Sequence, residues 1–316
     1  MFGYLNRMRA AGVLGLNRRN GDYILKRNQR RLFPLVDDKV LCKSRLQERG
    51  LAVPELISIA KYMQQASHVA ELVGDRREFV IKPAHGSGGD GILIIKDRKS
   101  DYFINSDGHL VMKEDLEHHL TNVISGLYSL GGQPDAAMFE SLVHFDPAFS
   151  NLTYLGVPDL RVIVYRGYPV MAMARLPTRR SHGKANLHQG AIGVGVDIGS
   201  GITVGGVSDN HAVSTHPDTG ADIAGFLVPH WSRIVSMSAL CYEAVGLGYL
   251  GVDIVLDRDL GPLILELNAR PGLNIQIANR KGLQTRLNAV DKLPELHESP
   301  EQRVEWSCRT FGNPLQ

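Results

Sequence analysis

Apolar residues gather in short runs of strand length at 78–83 (EFVIKP), 91–96 (GILIIK), 136–143, 251–256 and 263–268, and as several such runs within 159–176 and 191–207. Each run is bounded by glycine, proline or a polar turn, which predicts strands. Helical spacing takes over at 37–50, where Val40, Leu41 and Ser44 share one side and Gly50 ends the pattern. It returns as an amphipathic helix at 114–130, ended by Gly131-Gly132, where a hinge is expected, and at 229–245 with Pro229 near the first turn. Strands and helices interleave, so the chain is expected to be a mixed α and β protein of class α+β. Runs 78–83 and 91–96 form a hairpin with a long glycine-rich tip, and an Arg166-Gly167 turn joins two strands within 159–176. Residues 177–187 read as a polar, basic loop and 208–220 as a surface excursion. A last hairpin closes through the turn DRDLGP, and 291–316, with little periodicity, reads as a tail.

A length of 316 residues allows about two domains or one composite domain. With 43% hydrophobic and 22% charged residues, disorder, collagen-like repeats and coiled coil are poor fits. No apolar run approaches the roughly 18 residues that a membrane-spanning helix needs. Cys42, Cys241 and Cys308 are too few and too scattered for a disulfide framework or a zinc site, which points to a reducing cytoplasm. The net charge of +2 hides an asymmetry: residues 1–31 carry eight cations against Asp22 alone, a net of +7, which leaves −5 for the remainder. Such a segment suits RNA, an anionic membrane or an acidic partner protein, or packs as a solvated helix on the main body.

The cluster Gly86-Ser87-Gly88-Gly89-Asp90-Gly91 matches GxGxxG formally. A dinucleotide site needs a helix after the glycines, whereas the strand GILIIK follows here. No HRD or DFG sequence supports a protein kinase, and the GK[ST] of a Walker loop is absent. What remains is a strand lysine, Lys82, just before a glycine loop that can fold over phosphates and donate backbone N–H groups. An ordinary hairpin with a mobile tip is the other reading.

In the last hairpin, strand parity sorts the side chains. Val252, Ile254 and Leu256 share one face with Asp253 opposite, while Leu263, Leu265 and Leu267 share one face with Glu266 and Asn268 opposite. Two carboxylates and an amide can therefore converge, a hard-oxygen set suited to Mg²⁺. A solvated polar face on an amphipathic hairpin is the alternative.

Taken in order, four motifs resemble the ATP-grasp superfamily, and within it the RimK-type glutamate ligases, with D-alanine:D-alanine ligase and biotin carboxylase as more distant comparators. DDKVLCKSRLQERGLAVPE is similar to the helix and turn whose lysine, here Lys39, reaches nucleotide phosphates. FVIKPAHGSGGDGI resembles the strand lysine and phosphate loop, which implies Lys82 with Gly86, Ser87, Gly88 and Gly89. AMFESLV resembles the adenine hinge, implying Glu140, Ser141 and Val143, with Asp146 as a ribose partner. GVDIVLDRDLGPLILELNARPGL resembles the metal hairpin, implying Asp253, Glu266 and Asn268. The strand Asp159-Leu160-Arg161 is similar to a DIR strand, which implies Arg161 as the stabiliser of the transferred phosphate, an ordinary exposed strand arginine being the other reading. Residues 184–190 (KANLHQG) resemble an SNLHRGG segment, with Asn186 near the reacting centre and Lys184 and His188 as substrate contacts. Arg175, with Arg179 and Arg180, either binds an acidic substrate or is solvated.

The resemblance covers roughly 36–290 and implies an ATP-grasp fold of two α+β subdomains gripping ATP. It divides the chain into a basic segment (1–35), a subdomain with the phosphate lysines and glycine loop (36–138), a subdomain with the adenine hinge and metal hairpin (139–290), and a tail (291–316). Only 38 residues precede Lys39, so the basic segment stands where family members carry an α/β domain. The implied activity is ATP- and Mg²⁺-dependent carboxylate–amine ligation through an acyl phosphate, Mn²⁺ being an alternative ion and glutamate an example of the amino-acid substrate. The expected acceptor is a small molecule, a peptide or a protein, and a homo-oligomer is compatible with it. Phosphate transfer to another acceptor, ester formation, or a basic binding protein with a regulatory nucleotide site are the other readings.

Overall fold

The computed structural model describes residues 2–86, 88–100, 102–129 and 131–313. Two compact units emerge, one of Met1–Asp37, Cys42–Ala52 and His144–Gln316, the other of Asp38–Leu41 and Val53–Val143. No helix among the described residues is long and apolar enough to cross a membrane.

The smaller unit is built on a six-stranded antiparallel sheet of β1 (Leu56–Ala60), β2 (Phe79–Pro83), β3 (Leu93–Arg98), β4 (Tyr102–Asn105), β5 (Leu110–Met112) and β6 (Ala137–Glu140). Its spatial order is β1-β6-β2-β3-β4-β5. Because β2 alternates, Phe79 and Ile81 enter the core with Phe139, Leu116, Leu120 and Val123, and Lys82 falls on the other face. The helix Lys113–Ile124 supplies Leu116 and Leu120 at the four-residue spacing that stacks side chains on one face. It ends well short of the expected residue 130. Gly126 turns the chain with φ 87°, and a Cβ there would lie 2.1 Å from the Gln133 carbonyl oxygen. This close approach, rather than Gly131-Gly132, stops the helix.

The larger unit holds β7 (Asp159–Tyr165), β8 (Tyr168–Leu176), β9 (Ile192–Val196), β10 (Thr203–Ser208), β11 (His211–Val213), β12 (Tyr249–Asp257) and β13 (Gly261–Asn268). They form one antiparallel sheet in the order β11-β10-β9-β8-β7-β12-β13. Arg166 and Gly167, with φ of 52° and 85°, make the tight turn between β7 and β8. Every residue of β12 is buried. Its polar positions are therefore not a solvated face.

Two regions depart from expectation. Residues 300–311 form a helix (Pro300–Phe311) instead of a tail. Ser299 caps it by accepting from the Gln302 amide at 3.2 Å, and Arg303, Ser307 and Phe311 are buried at helical spacing. The excursion at 208–220 contains a fully enclosed side chain, His216, whose Nε2 lies 2.9 Å from the Pro177 carbonyl oxygen.

The basic segment packs on the larger unit. Asn28 is buried and bonds the Tyr249 amide at 2.9 Å and the Tyr249 carbonyl at 2.7 Å. Leu14 exchanges backbone bonds with the Gln276 amide group at 2.8 and 3.1 Å. Arg18 and Lys26 both pair with Asp22, Arg27 pairs with Asp291, and Arg7, Arg9, Arg30 and Arg31 are exposed.

Candidate active site

The smaller unit gathers cations and a glycine loop. Asp38 caps the helix Lys39–Glu48, accepting from the Val40 and Leu41 amides at 2.8 and 3.1 Å. That cap fixes where Lys39 leaves the backbone. The Lys39 amide donates to the Ala84 carbonyl at 3.1 Å and its Nζ to the Gly86 carbonyl. Lys82, on β2, pairs with Glu140 on the adjacent β6; their side chains are 12% and 3% exposed, so this is a nearly buried ion pair. Gly88 and Gly89 have φ of 71° and 84°. Their backbone can thus present N–H groups in a way a β-carbon disfavours. Ser87 lies outside the described residues.

The root of the loop is held by a network that sequence reading missed. Asp135, fully enclosed, accepts from the His85 amide at 3.0 Å, His85 Nδ1 at 2.7 Å and Ser129 Oγ at 2.7 Å. Burial opposes its ionisation, yet these bonds and the Ala136 amide outweigh burial and hold the carboxyl below its ordinary range. At the far end, His119 Nε2 lies 3.1 Å from the Gly91 carbonyl, with burial keeping its imidazole below the usual basicity. An aspartate 50 residues from His85 carries no local pattern to betray it.

In the hinge region the Ser141 amide donates to the Glu55 carbonyl at 3.0 Å, and Ser141 Oγ accepts from the Glu55 amide at 3.0 Å. Among the described residues the Val143 backbone makes no hydrogen bond. An extended segment with unpaired backbone groups is what a flat heterocycle with alternating donors and acceptors can bind. Asp146 caps a single turn by accepting from the Ala148 amide at 2.8 Å.

The larger unit brings five predicted residues together. Antiparallel register sets Asp253 opposite both Arg161 of β7 and Glu266 of β13. Arg161 grips Asp253 with two bonds, Nε to Oδ1 at 2.7 Å and Nη2 to Oδ2 at 2.5 Å. Arg175, on β8 opposite Asp159, makes two bonds to that carboxylate and reaches Asp253 Oδ2 at 2.8 Å. It is therefore neither solvated nor open to a substrate acid. Its side chain is 14% exposed and lies across two carboxylates. Asn268 approaches Asp253 at 3.3 Å and Glu266 at 3.4 Å.

Burial works against ionisation of Asp253, but the Arg161 and Arg175 guanidiniums prevail and hold its carboxyl well below the usual range. Burial, with the Asp253 charge beside it, pushes Asp159 up to about 6 against the pull of Arg175. No cluster of three or more His, Cys, Asp or Glu side chains set to hold a metal ion occurs among the described residues. The oxygens of Glu266 and Asn268 suit a hard divalent ion, whereas those of Asp253 already accept from Arg161, Arg175 and Asn268. Two arginines against Asp159, Asp253 and Glu266 leave one negative charge, and Glu266 is the acid without a cationic partner among the described residues.

Asn186 caps the turn Leu187–Gln189, accepting from the His188 amide at 3.0 Å. Lys184 and His188 are exposed, and among the described residues no hydrogen bond or ion pair joins either to the arginine–carboxylate cluster.

The model of the sugar-transfer associated ATP-grasp family matches residues 18–292. No curated protein matches the chain by sequence. Among solved structures, the ATP-grasp ligase PsnB complexed with a minimal precursor is 15% identical with a TM-score of 0.45, over 84% of this chain and 63% of that one. The chain thus spans under two thirds of the PsnB length. A RimK domain ATP-grasp protein from Sphaerobacter thermophilus DSM 20745 is 13% identical with a TM-score of 0.45, over 83% and 70% of the two chains. The D-cycloserine synthetase DcsG is 15% identical with a TM-score of 0.42, over 81% and 71%.

Proposed function

This chain belongs to the sugar-transfer associated ATP-grasp family, and from that premise we propose that it is an ATP-dependent carboxylate–amine ligase. A substrate carboxylate oxygen attacks the γ-phosphorus, the bond to the β-phosphate oxygen breaks, and ADP leaves with that electron pair. The acyl phosphate then meets an amine, a C–N bond forms, and phosphate departs. The difficulty is one of charge, because an anion must approach a polyanion.

The residues divide that task. Lys39 binds phosphate oxygens by exchanging the Gly86 carbonyl for the stronger anion, and Lys82 adds its charge while still paired with Glu140. The amides of the glycine loop would add uncharged donors, and the Val143 backbone would bond adenine, with Glu140, Ser141 and Asp146 as the further nucleotide contacts that the hinge motif implies. Arg161, locked by Asp253, neutralises charge on the transferred group without having to reorganise. Glu266 and Asn268 would hold Mg²⁺, which supplies further neutralisation of the triphosphate when bound; Asp253 could join them only by giving up one of its present bonds. Asn186 and Lys184 belong to the loop that meets the substrate.

The observation that carries this reading is the sign of the two patches. The Lys39 ammonium meets a neutral carbonyl and so is a cation open to an anion, and the arginine–carboxylate cluster leaves a negative charge that suits a cation. Incubation with ATP, Mg²⁺, hydroxylamine and a panel of amino acids, glutamate first, tests it. A hydroxamate and stoichiometric ADP are expected with one carboxylate; a panel without any hydroxamate sinks the reading. The family's link to sugar transfer makes an amino sugar the amine to try first.

A further inference from the structure

The larger unit contains a pocket of about 190 Å³ that none of the groups above occupies. Its apolar floor is Leu187, Ala191, Val207 and Ile277, and Ile277 is 42% exposed although its neighbours in the helix Ile275–Asn279 are mostly buried. A surface isoleucine beside a concavity suggests a contact still to be made. The polar wall is His188, Asn210 and Asn274. None of these three side chains has a hydrogen-bond partner among the described residues.

The wall is built rather than incidental. Asp209 and Asn210 form the two-residue turn between β10 and β11, both left-handed with φ of 48° and 65°, which fixes where their side chains start. Asp209 is paired with Arg180, whose stem lies so close to Gly190 that a Cβ there would meet it at 2.8 Å. That clasp ties the loop at 177–190 to the turn and borders the pocket.

The chemistry selects the ligand. An imidazole and two carboxamides offer both donors and acceptors and no net charge. The lining carboxylate is already matched by a guanidinium, so an anion finds no spare cation here and a cation finds no spare acid. The volume falls below the roughly 300 Å³ at which pockets for drug-sized ligands begin, enough for one ring and too small for a nucleotide. Hydroxyls that both donate and accept match the wall, and a C–H face matches the floor.

We propose that this pocket binds a single uncharged, hydroxyl-bearing sugar ring. Its role rests on the ligase reading: it seats the sugar-bearing substrate, with the reacting group outside the pocket. The test is a backbone-amide NMR titration of the full chain with glucose, N-acetylglucosamine, glutamate and inorganic phosphate, without ATP. Saturable shifts are expected with at least one sugar, confined to residues 187–191, 207–210 and 274–278, and none with glutamate or phosphate. Ile277→Trp, which fills the pocket from an exposed position, should abolish them. Asn274→Leu, which removes one hydrogen-bonding partner, should weaken binding about tenfold with an unchanged unfolding midpoint.

No saturation by either sugar, saturation by glutamate or phosphate, or undiminished binding by Ile277→Trp each overturns the proposal. Hydroxamate formation without sugar binding overturns it and leaves the ligase intact. Sugar binding without hydroxamate does the reverse.

Discussion

In the smaller unit Lys39 meets one carbonyl and Lys82 one carboxylate, whereas in the larger unit Arg161 and Arg175 are clamped by five bonds to two carboxylates that are themselves buried. The Lys39 contact is exchangeable, because a phosphate can replace one uncharged carbonyl at little cost, whereas Lys82 is held by the nearly buried Glu140 much as Arg161 is held by Asp253. The arginine cluster is preorganised, because moving either arginine strips a buried acid of its counter-charge. A polyanion that comes and goes needs the former, and charge developing in a transition state is best met by the latter.

The widest test of that contrast is Glu266→Gln, which removes the acid that has no cationic partner among the described residues. Hydroxamate formation should fall by about 10²–10³-fold, while the unfolding free energy from urea titration stays within about 0.5 kcal/mol of the parent. Chelating the divalent ion should reproduce the loss in the unmodified protein, and full turnover in either case removes Glu266 from the metal site. Next, Arg175→Met should destabilise by about 3–5 kcal/mol, since it leaves Asp159 and part of Asp253 buried without a partner. Lys39→Met should cost about 0.5 kcal/mol or less and instead raise the KM for ATP about tenfold. Equal stability losses for Arg175→Met and Lys39→Met would erase the distinction between the two patches.

Asp135→Asn should cost about 1–3 kcal/mol by leaving donors of His85 and Ser129 poorly matched. Amide exchange should quicken at 85–91; unchanged protection there would show that the loop root is held by something else. The smallest effect is on pH dependence. With Asp159 pushed up to about 6, it is charged above that pH and protonated below it. Protonation frees Arg175 to compete for Asp253 and loosens Arg161. Turnover should therefore decline as the pH falls through about 6, and Asp159→Asn should flatten that limb; an unaltered limb would assign it to another group.

Much of the framework was legible along the chain. Strand parity set Asp253 apart from Val252 and Ile254, the position of Gly50 bounded the helix after Lys39, and Arg166-Gly167 marked a tight turn. These follow from interactions within a few residues. The helix Pro300–Phe311 was missed although its cap, Ser299 with Gln302, is local. Its apolar face is thin, because Arg303 and Ser307 occupy buried positions, Arg303 through its pair with Glu243.

What the sequence by itself determined is which residue types lie where in each strand, turn and helix start: a lysine before the glycines, an acid facing away from its apolar neighbours, a basic first segment. Only the tertiary structure decided that Arg175 is locked between Asp159 and Asp253, that His85 hangs on Asp135, and that the basic segment rests on Tyr249 and Gln276. The reason is physical. Backbone preference and side-chain periodicity act over a turn or a strand, while burial and charge pairing depend on the register of strands that are distant in the chain, and no local pattern encodes that register.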